Sequence, residues 1–361
     1  MSIDQAALLA ALQTVIDPNT GKDFVSTKLL KNLQINGAQV RFDVTLGYPA
    51  RSQLALIGQM LENAARTVPG VQQAAAHVDF QIIAHSVQRG VPLLPGVKNM
   101  VAVASGKGGV GKSTTAANLA LALAAEGATV GMLDADIYGP SQPVMMGARG
   151  QPEHNGKMMQ PVMAHGVQVI SIGMLVADGQ AMIWRGPMVT QALDQLMRQT
   201  AWRDVDYLIV DMPPGTGDVQ LSISQRAPVT GAVIVTTPQD IALMDARRGI
   251  AMFEKVGVPI LGVVENMAMH RCTQCGHEEH IFGAGGGQRM AAEYGVDYLG
   301  GLPLALHIRE QADSGCPTVV AAPDSAEAET YRAIARRLAV KIAAQAKDYS
   351  SRFPGIRVSN T

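Results

Sequence analysis

Residues 100–115, MVAVASGKGGVGKSTT, decide the fold of this chain. The apolar run 100–104 is typical of a buried strand, and the alanine-rich stretch 112–126 is typical of a helix. Between them, residues 106–113 satisfy the phosphate-loop pattern, whose glycines let backbone N–H groups converge on phosphate oxygens at the start of a helix. The alternative, a glycine-rich turn that matches by chance, does not explain why strand, loop and helix follow in the order that the pattern requires.

Individual residues of the loop have distinct predicted roles. We expect Lys112 to reach the β- and γ-phosphates as a catalytic residue, and Ser113 to place its hydroxyl on Mg²⁺. Lys107 is a second cation inside the loop; pointing away from its own helix, it can reach a nucleotide on a facing subunit and supply transition-state charge as an arginine finger does. The pattern therefore predicts an ATP- or GTP-handling homodimer. The residues expected to bind the nucleotide are Gly106, Lys107, Gly108, Gly109, Val110, Gly111, Lys112, Ser113 and Thr114.

Composition limits the partners and the compartment. The 361 residues carry a net charge of −1 and contain no basic run, so we expect neither nucleic acid nor an anionic membrane surface as a partner. Asp4 stands where a secretory peptide carries positive charge, and no apolar run reaches the roughly 18 residues of a membrane helix. These features predict a cytoplasmic protein. The three cysteines do not make a disulfide framework.

The order of patterns along the chain predicts two domains. Residues 1–87 indicate a small α+β domain, with a helix before the turn cluster 17–21, a hairpin around Asn36-Gly37 and a second helix over 54–61. Residues 88–98, with two prolines and two glycines, read as a linker. Residues 99–346 alternate strands and helices, and residues 347–361 form a C-terminal tail.

The second domain is predicted to be an α/β fold of the P-loop NTPase type, a parallel sheet covered by helices. Ligands in such folds bind at the carboxyl ends of the strands. The final helix is expected over about 326–346. The predicted buried strands are 101–104, 129–133, 167–172, 207–210, 232–236, 260–264 and 298–302.

Two acidic motifs follow strands of this sheet. Residues 134–141, DADIYGPS, follow the second strand, and Asp136 is predicted to orient the attacking water as a catalytic residue. Helix-capping and turn roles are the alternative for these aspartates. Residues 211–218, DMPPGTGD, follow the strand 207–210, which brings Asp211 to the expected position of a Mg²⁺ carboxylate. Asn266, just past the strand 260–264, is predicted to bond the adenine edge, or is a turn residue.

Cys272 and Cys275 form a Cys-x-x-Cys pair that supplies two thiolates, whereas zinc or an iron-sulfur cluster needs four ligands. In one interpretation His277 and His280 complete a zinc site within nine residues. In a second, the pair is a redox dithiol. In a third, which we favour, two subunits each contribute a pair across a two-fold axis and hold one four-iron cluster. Cys316 has no assigned role.

Together these motifs resemble the Mrp/ApbC family of iron-sulfur cluster carrier ATPases, relatives of MinD and of the nitrogenase iron protein. The segments that carry the resemblance are 106–113, 134–141, 211–218, 237–240 and 264–267 leading into the cysteine pair. Residues 1–87 resemble the iron-sulfur assembly domain that often precedes it. The resemblance implies ATP binding, slow hydrolysis, a bridging [4Fe-4S] cluster on Cys272 and Cys275, and transfer of that cluster to apo-proteins.

Two other classes of function remain open from the sequence. A positioning ATPase of the MinD or ParA kind would organise on membrane or DNA, and needs a basic amphipathic helix or a DNA-binding patch. The final helix has basic residues, but glutamates dilute them and large apolar anchors are few. A nitrogenase-like reductase would instead drive electron transfer to a partner with ATP.

Overall fold

The computed structural model describes residues 3–88, 91–175, 186–272 and 274–347. The chain divides into two compact units, Met1–Ile82 and Ile83–Thr361. The division falls before the predicted boundary at 87, because His85 and Ser86 bond to Asn99 and to the Ala346 carbonyl of the second unit. Two residues of the predicted linker 88–98 belong to the strand that begins at Val97. Residues 89–90 of that linker and 348–361 of the predicted tail lie outside the described residues.

The first unit is the small α+β domain expected from the sequence. Its strands pair in the order β1-β2-β3, with β1 and β2 antiparallel and β2 and β3 parallel. The hairpin closes at Asn36 and Gln39 around Gly37, whose φ of +61° suits glycine. The elements are α1 (Gln5–Gln13), β1 (Leu30–Asn36), β2 (Gln39–Leu46), α2 (Leu54–Arg66) and β3 (Gln73–Phe80).

A mostly parallel sheet forms the centre of the second unit. Its strand order is β13-β12-β11-β4-β10-β5-β9-β8, with β14 also paired to β12; β8 and β13 are antiparallel to their neighbours. The predicted fold class and its buried strands are confirmed. β6 (His154–Asn155) and β7 (Met158–Met159) pair with each other in a separate two-stranded sheet. The strands of the central sheet are β4 (Val97–Ala104), β5 (Val130–Asp134), β8 (Val162–Ala164), β9 (Val167–Ser171), β10 (Val205–Asp211), β11 (Gly231–Thr236), β12 (Ile260–Arg271), β13 (Glu278–Glu279) and β14 (Tyr298–Pro303).

Helices pack against this sheet. The helix that follows the phosphate loop, α3, is buried along most of its length, because its small apolar residues pack against the strands β10 and β5 and against α11. The helices are α3 (Lys112–Ala125), α4 (Gln142–Met145), α5 (Gly186–Arg198), α6 (Asp218–Arg226), α7 (Asp240–Lys255), α8 (Gly286–Glu293), α9 (Leu306–Asp313), α10 (Thr318–Ala321) and α11 (Ala326–Ala343). The phosphate loop and both acidic motifs follow the carboxyl ends of β4, β5 and β10, as predicted.

Candidate nucleotide site and cysteine hairpin

The phosphate loop runs from the end of β4 to the start of α3. Gly109 and Gly111 have φ of +82° and +78°, in the left-handed region that glycine tolerates. Gly106 lies against the backbone of α7, where a Cβ would be 2.1 Å from the carbonyl carbon of Asp245. Because α3 begins at Lys112, directly after the loop, its first N–H groups face the same space. The backbone therefore has the form that phosphate binding needs.

Lys112 bonds both residues that are predicted to hold Mg²⁺. Its Nζ donates to Ser113 Oγ at 3.1 Å and forms a short ion pair with Asp211 Oδ1. The side chains of Lys112 and Asp211 are 6% and 0% exposed, so the pair lies in the interior at the end of β10. The Lys112 ammonium thus lies beside a hydroxyl and a carboxylate. Mg²⁺ prefers such oxygen ligands, so Ser113 and Asp211 fit the predicted ion.

Asp134 is a second buried carboxylate beside Asp211. The two residues are partners in the parallel register of β5 and β10. Burial, and then the negative charge of Asp211, raise the pKa of Asp134 from 3.8 to about 7. Hydrogen bonds from the N–H of Gln142 at 3.1 Å, the N–H of Asp136 at 3.2 Å and the hydroxyl of Ser171 at 3.1 Å oppose that rise. The protonation of Asp134 therefore depends on the charge of its neighbour.

Gln142 is a site residue that sequence reasoning misses. Its side chain is fully buried, and its Nε2 donates to Asp211 Oδ2 at 2.9 Å and to the Ser113 carbonyl at 3.0 Å. Its Oε1 is buried without a hydrogen-bond partner among the described residues. Glutamine is usually a surface residue, so the one signal in the sequence is its place directly after the motif 134–141. Gln142 links that motif to the phosphate loop and to Asp211.

A cleft of about 260 Å³ opens in front of the loop. Burial raises the pKa of Asp136, and the charge of Lys112 opposes that rise. Lys107 is half-buried, and within the described residues its ammonium makes no salt bridge. Their predicted roles, water orientation and action on a facing nucleotide, stay predictions. The cleft is lined by Ser105, Lys107, Gly108, Gly109, Gly111, Lys112, Ser113, Thr114, Asp136, Gly139, Ser141, Met145 and Pro214.

Asn266 lies against the phosphate loop, within β12 and not past its end. The strand expected over 260–264 runs on to Arg271. The Asn266 Nδ2 donates to the carbonyl of Val110 at 2.9 Å, so the amide group holds the backbone of the loop. Its contact with an adenine edge stays a prediction.

The cysteine pair occupies the turn of a hairpin between β12 and β13. His270 pairs with Glu279, and the Cys272 N–H donates to the carbonyl of His277 at 2.9 Å. Cys275 is exposed and Cys272 is partly exposed. The backbone N–H groups of Cys275 and Gln274 lower the pKa of the Cys272 thiol, because they donate to its sulfur. Such N–H bonds favour the thiolate, the form that binds metal.

The histidines near the pair do not complete a metal site in the single chain. His280 Nδ1 donates to the Ala268 carbonyl at 2.7 Å, and His277 lies 3.7 Å from a carboxylate oxygen of Glu279. Across the parts of the chain that the structure describes, no three His, Cys, Asp or Glu side chains converge as metal ligands. Within the described residues, this turn therefore presents two thiols and no third metal ligand. Cys316 lies apart from the hairpin, in the turn after α9.

Comparison with known proteins identifies relatives along almost the whole chain. An iron-sulfur cluster carrier protein of Pseudomonas fragi is 59% identical over 279 residues, which cover 76% of this chain and 97% of that protein. One of Haemophilus influenzae is 46% identical and covers 92% of this chain and 90% of its own length. A nucleotide-binding protein from Archaeoglobus fulgidus, solved in complex with ADP, is 36% identical with a TM-score of 0.55; the match covers 61% of this chain and 87% of that one.

The phosphate loop at the carboxyl edge of a parallel sheet, with Asp211 on the neighbouring strand, defines a P-loop NTPase. The chain belongs to the family of NUBPL iron-transfer P-loop NTPases, whose model matches residues 96–339. Residues 5–78 match the model of the iron-sulfur cluster assembly protein family. The resemblance drawn from the motifs is thereby confirmed. Of the helices that the structure describes, none is both long enough and apolar enough to span a bilayer.

Proposed function

We propose that this protein binds and hydrolyses ATP and, as a homodimer, assembles a [4Fe-4S] cluster and transfers it to apo-proteins in the cytoplasm. The observation that carries the proposal is the hairpin of Cys272 and Cys275, which extends from a strand whose Asn266 touches the phosphate loop. Relatives at 59% and 46% identity are named iron-sulfur cluster carrier proteins. Their names favour a carrier over a MinD- or ParA-like positioning ATPase.

The nucleotide side of the proposal rests on the buried charges of the cleft. Lys112, released from Asp211, binds the β- and γ-phosphates, and Ser113 with Asp211 holds Mg²⁺. The bound ion neutralises charge on the phosphates. Asp136, at the rim of the cleft, orients the attacking water, while Lys107 of the facing subunit stabilises charge in the transition state. Gln142 keeps the carboxylate of Asp211 in place through its 2.9 Å bond.

The cluster side rests on the number of thiols. A four-iron cluster takes four cysteine ligands, and each chain offers two in its hairpin. A two-fold axis through a dimer brings together two such pairs with no further residue required. The exposure of Cys275 suits a cargo that is bound at an interface and handed to another protein.

Anaerobic reconstitution with iron and sulfide tests the proposal. The wild-type protein should gain broad absorbance at about 400 nm and should bind about four iron and four sulfide ions per dimer. Cys272→Ala should lose most of the bound iron, since a dimer would then keep two thiols. Cys316→Ala is the matched control and should load as the wild type does. A wild-type dimer that stays colourless, or equal loss in the Cys316 variant, contradicts the proposed cluster site.

A further inference from the structure

The strand β12 touches the phosphate loop before it reaches the cysteine hairpin. The Asn266 Nδ2 lies 2.9 Å from the Val110 carbonyl. A Cβ on Gly111 would lie 2.1 Å from the same nitrogen, so the side chain is packed tightly against the loop backbone. A rearrangement of the loop that moves the Val110 carbonyl would change this contact.

The preceding residue closes the base of the segment that carries the cysteines. Glu265 is 1% exposed, and its carboxylate accepts a short hydrogen bond from the N–H of Gly287, at the beginning of α8. Residues 267–286 therefore follow the last part of β12 from Asn266 into the cysteine hairpin and then return to Glu265. We call this stretch the cysteine excursion; it contains Cys272 and Cys275.

The first residue of the cysteine excursion has a strained backbone. Met267 has φ of +56°, a left-handed conformation that is unfavourable for a residue with a side chain. The pairing of β12 with β14 shifts its register between Glu265 and Met269. Beyond this point the excursion is held by a bond within itself, from His280 Nδ1 to the Ala268 carbonyl at 2.7 Å, and by a bond from the Leu304 N–H to the Met269 carbonyl at 2.7 Å. A turn of Asn266 would thus be passed along the last part of β12 toward the cysteine hairpin.

We infer that Asn266 is a positioning residue that couples the phosphate loop to the cysteine excursion. Nucleotide binding, by moving the Val110 carbonyl, alters the exchange dynamics of residues 267–286. By thermodynamic reciprocity, a ligand on the cysteines alters the affinity for nucleotide. The inference rests on the proposed function for its biological meaning, but its test uses the cluster-free protein and needs no iron.

Amide hydrogen exchange on the full chain, with and without Mg²⁺ and ATPγS, tests the coupling. In the wild type we expect exchange to slow about fivefold both in residues 106–113 and in the cysteine excursion, the effect of about one hydrogen bond. Asn266→Asp keeps the shape of the side chain but replaces the donor with an oxygen that faces the Val110 carbonyl. With ATPγS raised until the loop of this variant is protected as in the wild type, the excursion should not respond.

Two further variants make the test independent of that one substitution. Met267→Gly leaves Asn266 and the loop intact but lets the chain absorb rotation at residue 267, so it should bind nucleotide and show a reduced response in the excursion. Glu265→Gln keeps an acceptor for the Gly287 N–H and should respond as the wild type does. A wild-type excursion that ignores nucleotide while the loop is protected overturns the coupling alone, as does a full response in both Asn266→Asp and Met267→Gly. A wild-type loop without protection overturns the proposed nucleotide binding as well.

Discussion

Asp134 and Asp211 are two buried carboxylates beside a single lysine. Lys112 bonds Asp211, whereas Asp134 accepts hydrogen bonds and, among the residues that the structure describes, forms no salt bridge. Because burial and the neighbouring charge both disfavour its ionised form, the pKa of Asp134 rises to about 7. The site is therefore built for more positive charge than the nucleotide-free chain provides, which agrees with the proposed binding of Mg²⁺.

This carboxyl predicts a pH dependence of stability. The unfolded chain releases the proton of Asp134 at the ordinary pKa of 3.8, whereas the folded protein keeps it up to a pKa of about 7. Stability from this group is therefore lost as the pH rises from about 4 through about 7. Asp134→Asn removes the loss, so the Tm of the variant relative to wild type should be higher at pH 8 than at pH 5.

Thermal unfolding of nucleotide-free protein at the two pH values measures this difference. The control is Asp313→Asn, an exposed carboxylate paired with Arg309 on α9, whose Tm relative to wild type should hardly change with pH. The prediction is wrong if the Asp134 variant and the wild type lose Tm in parallel between pH 5 and pH 8.

At the scale of elements, the sequence predicts strands well where every residue is buried, and less well where pairing with another strand decides how far a strand extends. The run Ile260 to Val264 is apolar and was expected as a strand. The strand continues through polar residues to Arg271, because β14, which lies far along the chain, and β13, across the cysteine hairpin, supply partners. In the same way Gln142 enters the site through tertiary contacts to Asp211, which no local pattern contains. Local motifs predict the phosphate loop; long-range partners complete it.

The packing of α11 on α3 offers a prediction for the element that carries the phosphate loop. Arg336 on α11 bonds Glu126 at the end of α3, and their side chains are 5% and 0% exposed. Arg336→Met leaves a buried carboxylate without this charge, so it should lower the free energy of unfolding by about 3–5 kcal/mol. Urea denaturation followed by circular dichroism measures the change.

The matched control is a helical arginine whose salt bridge is exposed to solvent. Arg309→Met removes an exposed pair with Asp313 and should cost about 0.5 kcal/mol or less. The double variant Glu126→Gln with Arg336→Met should recover part of the loss, because the buried side chain at position 126 is then uncharged. If the two single arginine variants lose equal free energy of unfolding, the ion pair between Arg336 and Glu126 does not stabilise the packing of α11 on α3.

At the scale of the whole molecule, the proposed dimer joins two features that are incomplete in one chain. The hairpin has two thiols, and Lys107 makes no salt bridge within the described residues. If a second copy faces the cleft, the two hairpins together supply four thiols and Lys107 can reach the nucleotide of the other chain. If Lys107 acts on the nucleotide of the facing subunit, each working site needs its own Asp136 and the lysine of its partner.

Heterodimers purified through two different tags test this division of labour. In the first heterodimer, one chain carries Lys107→Ala and the other carries Asp136→Ala. The nucleotide site of the first chain keeps its own Asp136 and receives Lys107 from the second chain. One of the two sites is then complete, so ATP hydrolysis should reach about half the wild-type rate. When one chain carries both substitutions and the other is wild type, neither site is complete and hydrolysis should be lost. Phosphate release by the two heterodimers, beside the inactive variant homodimers, gives the comparison. The reverse pattern, activity only when both substitutions share a chain, would mean that Lys107 serves its own nucleotide.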